Sequence, residues 1–329
     1  MRFWKDKKVL VTAGAGFIGS YLVELLVSDG AKVTVADNLS RGSPERIEPV
    51  KDKIRFLKLD LSDYGNCLEA CKGQDIVMNL AAKVTGIEYN LKYNTDMFTS
   101  NMALQQNVIK AAAESKVKRF LQVSTACIYP HDAVVPTPES EGERGAPEPT
   151  NLGYGWAKRM GERLAKFYAK ETDMEIAIVR PFNAYGLRDY FEEGTSHVIP
   201  ALIKRVLDGN DPVIVWGSGN QSRAFVHARD IALGMKLVTE KYPKADPVNI
   251  GHDKEITIKE LIKLILEIAK KNPEVVFDAS KPDGYPRRAA DTAKLRKVTG
   301  GWAPDTPLEE GLREMVDWYR ETRREAQRA

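Results

Sequence analysis

Short apolar runs alternate with stretches of helical period through the first 180 residues. Lys8–Thr12 (KVLVT) reads as a buried strand. Phe17–Ser28 carries apolar residues at helical spacing until Gly30 stops it. Lys32–Asp37 and residues 54–59, 76–80 and 119–124 predict four further strands, and residues 101–113 predict a helix. The strands are rich in Val, Ile and Leu with no polar face, as expected when helices cover both sides of a sheet. The pattern therefore predicts an α/β fold of Rossmann type, a doubly wound parallel sheet. Residues 130–150 hold five prolines and four glutamates and read as a surface loop. A helix over 154–171 and a strand over 176–180 follow. Beyond that the alternation loosens. Strands at Val213–Trp216, Val248–Ile250 and 275–277 mix with helices at 198–207, 258–270 and 308–322. The expected division is a dinucleotide-binding domain over 1–180, with about 226–254 returning to it, and a smaller α/β substrate lobe from 181–225 and 255–329.

Composition narrows the classes. With 43% hydrophobic and 29% charged residues, the 329-residue chain can bury a real core, which excludes a disordered tail. Lys and Arg exceed Asp and Glu by only 49 − 46 = 3, so neither a nucleic-acid binder nor a polybasic membrane anchor is indicated. Arg320, Arg323, Arg324 and Arg328 read as a solvated helix end. Charges interrupt every apolar run, and the chain enters its first strand without a signal-peptide pattern. Three cysteines (Cys67, Cys71, Cys127) make no disulfide framework, which points to a cytoplasmic protein. Cys67 and Cys71 have no further cysteine near them to complete a zinc site, so no metal is expected.

Thr12–Gly19 reads TAGAGFIG, a glycine-rich turn between the first strand and the first helix. Such a turn lets backbone approach a pyrophosphate, and the helix start offers amide donors at a positive dipole end. A lone glycine loop is weak evidence. Here it follows a strand and opens a helix, and Asp37 ends the second strand about 20 residues on, where an acidic residue takes the ribose hydroxyls. A carboxylate there repels a 2′-phosphate, so the expected cofactor is NAD. Arg41 and Arg46 keep an NADP alternative open.

Tyr154 and Lys158 lie four apart in the helix over 154–171 and share one face. An ammonium beside a phenol lowers the phenol's pKa, and the phenolate can then take a proton from a sugar hydroxyl as hydride leaves. Alone, Tyr-x-x-x-Lys is a common chance match on a surface helix. Thr125 and Cys127 follow the fifth strand two residues apart, so an extended backbone points both the same way.

With these motifs the chain resembles the extended short-chain dehydrogenase/reductases that act on nucleotide sugars, the NAD-dependent epimerase/dehydratase family. It departs from the family's Gly-x-x-Gly-x-x-Gly at Ala13, with Gly14, Gly16 and Gly19 present. The resemblance runs nearly end to end. It implies cofactor contacts from Gly14, Gly16, Phe17, Ile18, Gly19, Asp37, Asn38, Asp60, Leu61, Leu80, Ala81, Ala82, Lys83, Asn101, Tyr154 and Lys158. It also implies that Thr125 hydrogen-bonds the sugar oxygen that Tyr154 serves. Ser196-His-Val-Ile-Pro-Ala-Leu202, together with Cys127-Ile-Tyr-Pro130, is similar to the GDP-L-fucose synthases and GDP-mannose 3,5-epimerases. In those groups a cysteine and a His or Lys invert carbons beside a keto group, which implies Cys127 and His197. Oxidation at C4 acidifies the neighbouring C–H bonds, and a thiol and an imidazole both titrate close enough to neutrality to exchange those protons. The Asp-Glu pair of the 4,6-dehydratases is replaced by Ala126 and Cys127.

The remaining matches imply a substrate site for a nucleotide-diphosphate sugar, with a GDP-sugar favoured. Its residues are Thr85, Gly86, Thr125, Asn183, Val198, Trp216 and Arg223, with either Arg287 or Arg288 on the diphosphate. Relatives usually carry Gly where Thr85 stands. The leading expectation is a 3,5-epimerase that recycles NAD, acting as a homodimer. The alternatives, in order, are a fucose-synthase-like epimerase–reductase, a 4-epimerase and a non-catalytic NAD-binding protein.

Overall fold

The computed structural model describes residues 3–192, 196–281 and 284–328, with side chains through Arg323. Strands β1 (Lys8–Thr12), β2 (Lys32–Asp37), β3 (Ile54–Lys58), β4 (Ile76–Asn79), β5 (Arg119–Val123) and β6 (Glu175–Pro181) alternate with helices α1 (Phe17–Ser28), α2 (Tyr64–Cys71), α3 (Ile87–Lys92), α4 (Asn94–Glu114) and α5 (Leu152–Glu171). The rest of the chain contributes β7 (Ala184–Tyr185), α6 (Val198–Asp208), β8 (Val213–Trp216), β9 (Ser222–Arg223), β10 (Val226–His227), α7 (Ala228–Lys241), β11 (Val248–Ile250), β12 (Ile256–Thr257), α8 (Ile258–Ala269), β13 (Val275–Asp278), β14 (Arg287–Arg288), α9 (Ala293–Thr299) and α10 (Leu308–Arg328). Seven strands form one parallel sheet in the order β11-β6-β5-β4-β1-β2-β3. This is the Rossmann arrangement, with the chain reversing direction across the sheet beside β1.

Each face of the sheet has its own core. Leu22 and Leu26 of α1 pack with Ile231 and Met235 of α7 under Val9, Val11 and Val35. Cys67 and Cys71 of α2 pack with Val108 and Ile109 of α4 under Leu10, Val77 and Phe120. Burial pushes both thiols up to about 12, which leaves them as small apolar side chains. A third core joins α6, α8 and α10 through Ile203, Ile265 and Met315. Among the described residues no helix is long and apolar enough to cross a membrane.

Three expectations need correction. Helices α3, α7 and α9 were not among the expected elements, and the longest of them is α7. It starts on His227, whose Nδ1 accepts from the Arg229 amide, and a histidine cap is not the usual start signal. Helix α4 begins seven residues before the expected Asn101, because five of the seven residues before Asn101 are polar and hide the helical period. The proline-rich stretch 130–150 is only partly surface. Thr137, Gly142, Pro147 and Glu148 are buried, and Glu148 is 4% exposed.

The glycine turn is tight. A Cβ on Gly19 would lie 2.3 Å from the Ala13 carbonyl oxygen and 2.9 Å from Gly14 Cα, both backbone atoms. Ala13 itself has φ +52°, a left-handed conformation that costs an L-residue about 1–2 kcal/mol. Gly19→Ala should therefore displace the turn and destabilise the fold by about 1–3 kcal/mol, an overpacking cost. Thermal unfolding, with NAD titration alongside, checks this.

His227 is 1% exposed, and burial, with Arg229 beside it, holds its pKa below the ordinary histidine value, against Glu314 and Asp230. A lowered native pKa means the native state resists the proton that the unfolded chain accepts. Stability should be full above about pH 6.5 and fall as pH drops below it. In His227→Gln that part of the acid loss should shrink, as read by denaturant midpoints between pH 5 and 7.5.

Candidate active site

The parallel sheet brings the C-terminal ends of β1, β2, β4 and β5 to one edge, where an open α/β sheet binds ligands. Helix α1 starts at Gly16 with no side-chain cap and no acidic residue in its first turn. Its first amides, on Phe17, Ile18 and Gly19, therefore keep no intrahelical acceptor and suit a pyrophosphate. Asp37 is 6% exposed and accepts from Ala15 N (3.1 Å) and Leu39 N (2.8 Å). Burial raises its pKa, and these two donors oppose the rise. Two amides do not saturate a carboxylate, so acceptor sites remain for a ribose diol. Arg41 and Arg46, the basis of the NADP alternative, both stack on Tyr190 at 4.0 and 4.7 Å.

The rest of the dinucleotide cradle is held by polar braces. Thr12 Oγ1 accepts from the amides of Leu80 and Ala81, both at 3.0 Å, and donates to Asn79. Asn101 bridges the amide and carbonyl of Lys83, which fixes the turn through Ala82. Asp60 accepts from Ser62 N and from Asn38, which hold its carboxyl below the usual range, and Leu61 beside it is buried. The residues present thus fit a dinucleotide with two ribose hydroxyls.

Thr125, Cys127, Tyr154, Lys158 and Arg288 meet beyond β5. Expected extension does not bring Thr125 and Cys127 together. Thr125 instead caps a short 3₁₀ turn over Ala126–Ile128, and its hydroxyl accepts from Cys127 N at 3.2 Å. Thr125 also hydrogen-bonds Tyr154, and Cys127 adjoins the phenol. Burial, with Cys127 beside it, raises the Tyr154 pKa. Lys158 does not counter this as the spacing suggested. Its Nζ donates to the Val123 carbonyl at 3.0 Å, and burial lowers its own pKa to about 8. Burial thus favours the neutral form of the Tyr154 phenol. Ser124 Oγ is buried without a partner at the same strand end.

Burial pushes the Cys127 thiol up, while Arg288 and Thr125, both hydrogen-bonded to it, pull it down. Arg288 pairs with buried Glu148 and lies 4.2 Å over the Tyr285 ring. Arg287, the other candidate, turns outward to Glu255. Glu148 and Tyr285 went unnoticed in the sequence, since a glutamate among prolines reads as solvated.

His197 stands elsewhere than expected. It is the first residue before α6, but its ring does not cap the helix. Nδ1 lies 2.9 and 3.0 Å from the Asp189 carboxylate oxygens, whose side chain is fully buried, while the His197 side chain is 54% exposed. Asp189 raises the imidazole pKa. The contacts of His197 run to Asp189 and Arg41, not to Cys127. Asp189 was also missed, although an acid eight residues before a histidine was a usable signal.

The expected sugar-side residues fall into two groups. Thr85 donates to Asn90 (2.7 Å), and Gly86 starts α3. Asn183 donates to the Ala224 and Arg288 carbonyls, so it braces the strand that carries Arg288. Arg223 donates to the Ser222 and Tyr285 carbonyls. Trp216 is 39% exposed with Lys281 5.0 Å over its ring, and Val198 packs on the third core.

Residues 9–251 match the model of the NAD dependent epimerase/dehydratase family. The chain belongs to this family. It is 34% identical over 322 residues to GDP-L-fucose synthase 1 of Arabidopsis thaliana, covering 96% of this chain and 94% of that one. It is 36% identical over 294 residues to GDP-L-fucose synthase of Escherichia coli K12, covering 85% and 90%. UDP-glucose 4-epimerase of Thermotoga maritima, solved with UDP-glucose, superposes with a TM-score of 0.85 at 28% identity over 96% of this chain and 99% of that one. The family member is thus an NAD-dependent enzyme of the nucleotide-sugar epimerase and reductase group, which removes the non-catalytic alternative. The fucose synthases among its relatives favour the epimerase–reductase alternative over the 3,5-epimerase expected first.

Asp37→Ala should weaken NAD binding and narrow its margin over NADP. Equal affinity for both cofactors in the unaltered protein, measured by calorimetry, would overturn the reading of Asp37.

Proposed function

We propose that this enzyme is an epimerase–reductase of a GDP-sugar bearing a ketone at C4. It inverts one or both carbons flanking the ketone and then reduces C4. The observation that carries this reading is Cys127 held between Thr125, Tyr154 and Arg288. A plain 4-epimerase has no need of a thiol there. The relatives named as GDP-L-fucose synthases support the base and the net reduction.

The roles follow from the charge partners. Thr125 and Tyr154 hold the C4 oxygen, so negative charge developing on it meets two donors. Arg288 favours the thiolate of Cys127, which removes a proton from carbon beside the ketone. The carbanion is an enolate. Asp189 favours the protonated form of His197, which returns a proton to the opposite face. Tyr154 then gives its proton to the C4 oxygen. When bound, the nicotinamide supplies the hydride to C4. Lys158 fixes the strand end through Val123, and Trp216, Arg223 and Arg288 line the nucleotide-diphosphate side. The division is a cofactor lobe of 1–180 with 226–254, and a sugar lobe from the remainder. A second copy covering the α4–α5 face, where Phe167 is 54% exposed, would give a cytoplasmic homodimer.

Asp37 favours one second reading, the NAD-recycling 3,5-epimerase. The test uses D₂O. With a GDP-4-keto sugar and NADH, deuterium entry beside the ketone together with loss of NADH absorbance supports the proposal. Deuterium entry into GDP-mannose with NAD and no net redox change supports the 3,5-epimerase instead. Inversion at C4 without deuterium indicates a 4-epimerase.

Cys127→Ser separates the chemical roles. Deuterium entry should fall about 10²–10⁴-fold, because a serine hydroxyl is too weak an acid to cycle its proton, while C4 reduction persists through Tyr154. Unchanged exchange in this variant would make Cys127 a spectator thiol and sink the proposal.

A further inference from the structure

The three residues Arg188, Asp189 and Tyr190 reach in three directions. Arg188 pairs with Glu24 of α1, and its guanidinium lies 4.3 Å over the Tyr21 ring. Tyr190 is gripped by Arg41 and Arg46, whose guanidinium carbons lie 4.0 and 4.7 Å from its ring centre. Arg46 Nη1 also donates to the Tyr190 hydroxyl (3.2 Å) and to the Arg41 carbonyl (2.9 Å). Arg41 Nη1 donates to the Val84 carbonyl at 2.9 Å, on the loop after β4. Between these two grips sits Asp189, fully buried, accepting from Tyr190 N at 2.8 Å and holding His197 Nδ1. Every one of these grips lands on the cofactor side of the molecule: α1 behind the glycine turn, the segment after Asp37, and the loop after β4.

We infer that Arg188-Asp189-Tyr190 is a positioning unit that fixes the direction and tautomer of His197 relative to the cofactor lobe, with Arg41 and Arg46 as its anchor. The inference rests on the proposed role of His197 for its consequence in catalysis, though not for its geometry. The physical case has two parts. A carboxylate on Nδ1 makes that nitrogen the proton carrier and leaves Nε2 as the atom that faces outward to react. Asp189 can do this only if it does not move, and as a side chain on a connecting segment it has no helix or strand to hold it. The stacked Arg41–Tyr190–Arg46 set supplies the rigidity. Each guanidinium is drawn to the face of the ring, and here two act on one ring. Because Arg41 follows Asp37 by four residues, the segment that meets the ribose is also the segment that holds the acid in place.

The test reads His197 itself as well as turnover. Histidine ring carbons are labelled, and the four resonances are titrated by NMR, with His197→Asn assigning one of them. Asp189→Asn should move the His197 midpoint down, since the carboxylate that raises it is gone, and should change its tautomer. Asp189→Glu should restore part of both. Tyr190→Leu keeps Asp189 and His197 but removes the ring from between the arginines. It should cut deuterium entry at the carbon served by His197 by on the order of 10²-fold, the cost of a displaced catalytic group, and leave C4 reduction unchanged. Tyr190→Phe keeps the ring and should stay near the parent. If Asp189→Asn leaves the His197 midpoint and tautomer unaltered, or Tyr190→Leu exchanges deuterium like the parent while His197→Asn does not, the inference is overturned. If instead Asp189→Asn moves His197 while His197→Asn exchanges normally, the positioning unit stands and the proposed acid is wrong. Circular dichroism and NAD binding show that each variant is folded.

Discussion

The cofactor side of the site depends on seven strands running the same way. Parallel pairing of β1 with both β2 and β4 puts the glycine turn, Asp37 and the Leu80–Lys83 segment on one edge. Pairing of β4 with β5 and β5 with β6 adds Thr125 and Asn183 to that edge. Parallel strands need long crossovers, and the crossovers here are the helices that bury both faces. Antiparallel pairing anywhere near β1 would send one of these segments to the far edge. The chemistry is thus a consequence of strand direction before it is a consequence of any single side chain.

The two proposed proton carriers are both shifted toward their protonated forms, by different causes. Burial holds the Cys127 thiol above its ordinary value, and Arg288 pulls against that rise without reversing it. His197 is drawn toward the imidazolium by Asp189. Neither charged partner is alone. Arg288 has Glu148, and Asp189 has the Tyr190 amide. Buried pairs of this type seldom add net stability, since desolvation offsets most of the Coulomb gain. Their retention in a site is better explained by the protonation states they set than by the folding free energy they contribute.

Local pattern made the sheet legible. Residues 8–12, 17–28, 32–37, 213–216 and 248–250 have the ends that hydrophobic runs and turn residues indicated. It was legible because strand burial and helix period are properties of neighbours in sequence. Two kinds of feature were not. Glu148 and Asp189 are charged residues buried by partners 140 and eight positions away, Arg288 and His197. Nothing beside Glu148 in sequence says so, and for Asp189 the one hint is the histidine eight residues on. The pKa of Tyr154 is the second kind. Spacing correctly put Lys158 on its helix face, 5.8 Å from the ring, but not the Val123 carbonyl that takes the ammonium's hydrogen bond. Periodicity reports faces, whereas acid–base chemistry depends on which atom a proton meets.

A neutral Tyr154 bears on the direction of the reaction. Oxidation of a C4 hydroxyl requires a base at the phenol, and reduction of a C4 ketone requires an acid there. With Lys158 turned to Val123, burial favours the protonated phenol, the form that the proposed reduction uses. The thiol adds to this, since its negative form beside Tyr154 raises the phenol further. A thiolate that has yet to take its proton therefore keeps Tyr154 protonated. Once Cys127 has taken a proton from the sugar and His197 has returned one, as proposed, the C4 oxygen still faces the Tyr154 hydroxyl. In the proposed reaction, proton exchange beside the ketone and reduction of the ketone are then compatible in one site without rearrangement, because burial, the larger cause of the rise, favours the protonated Tyr154 before and after the thiolate takes its proton.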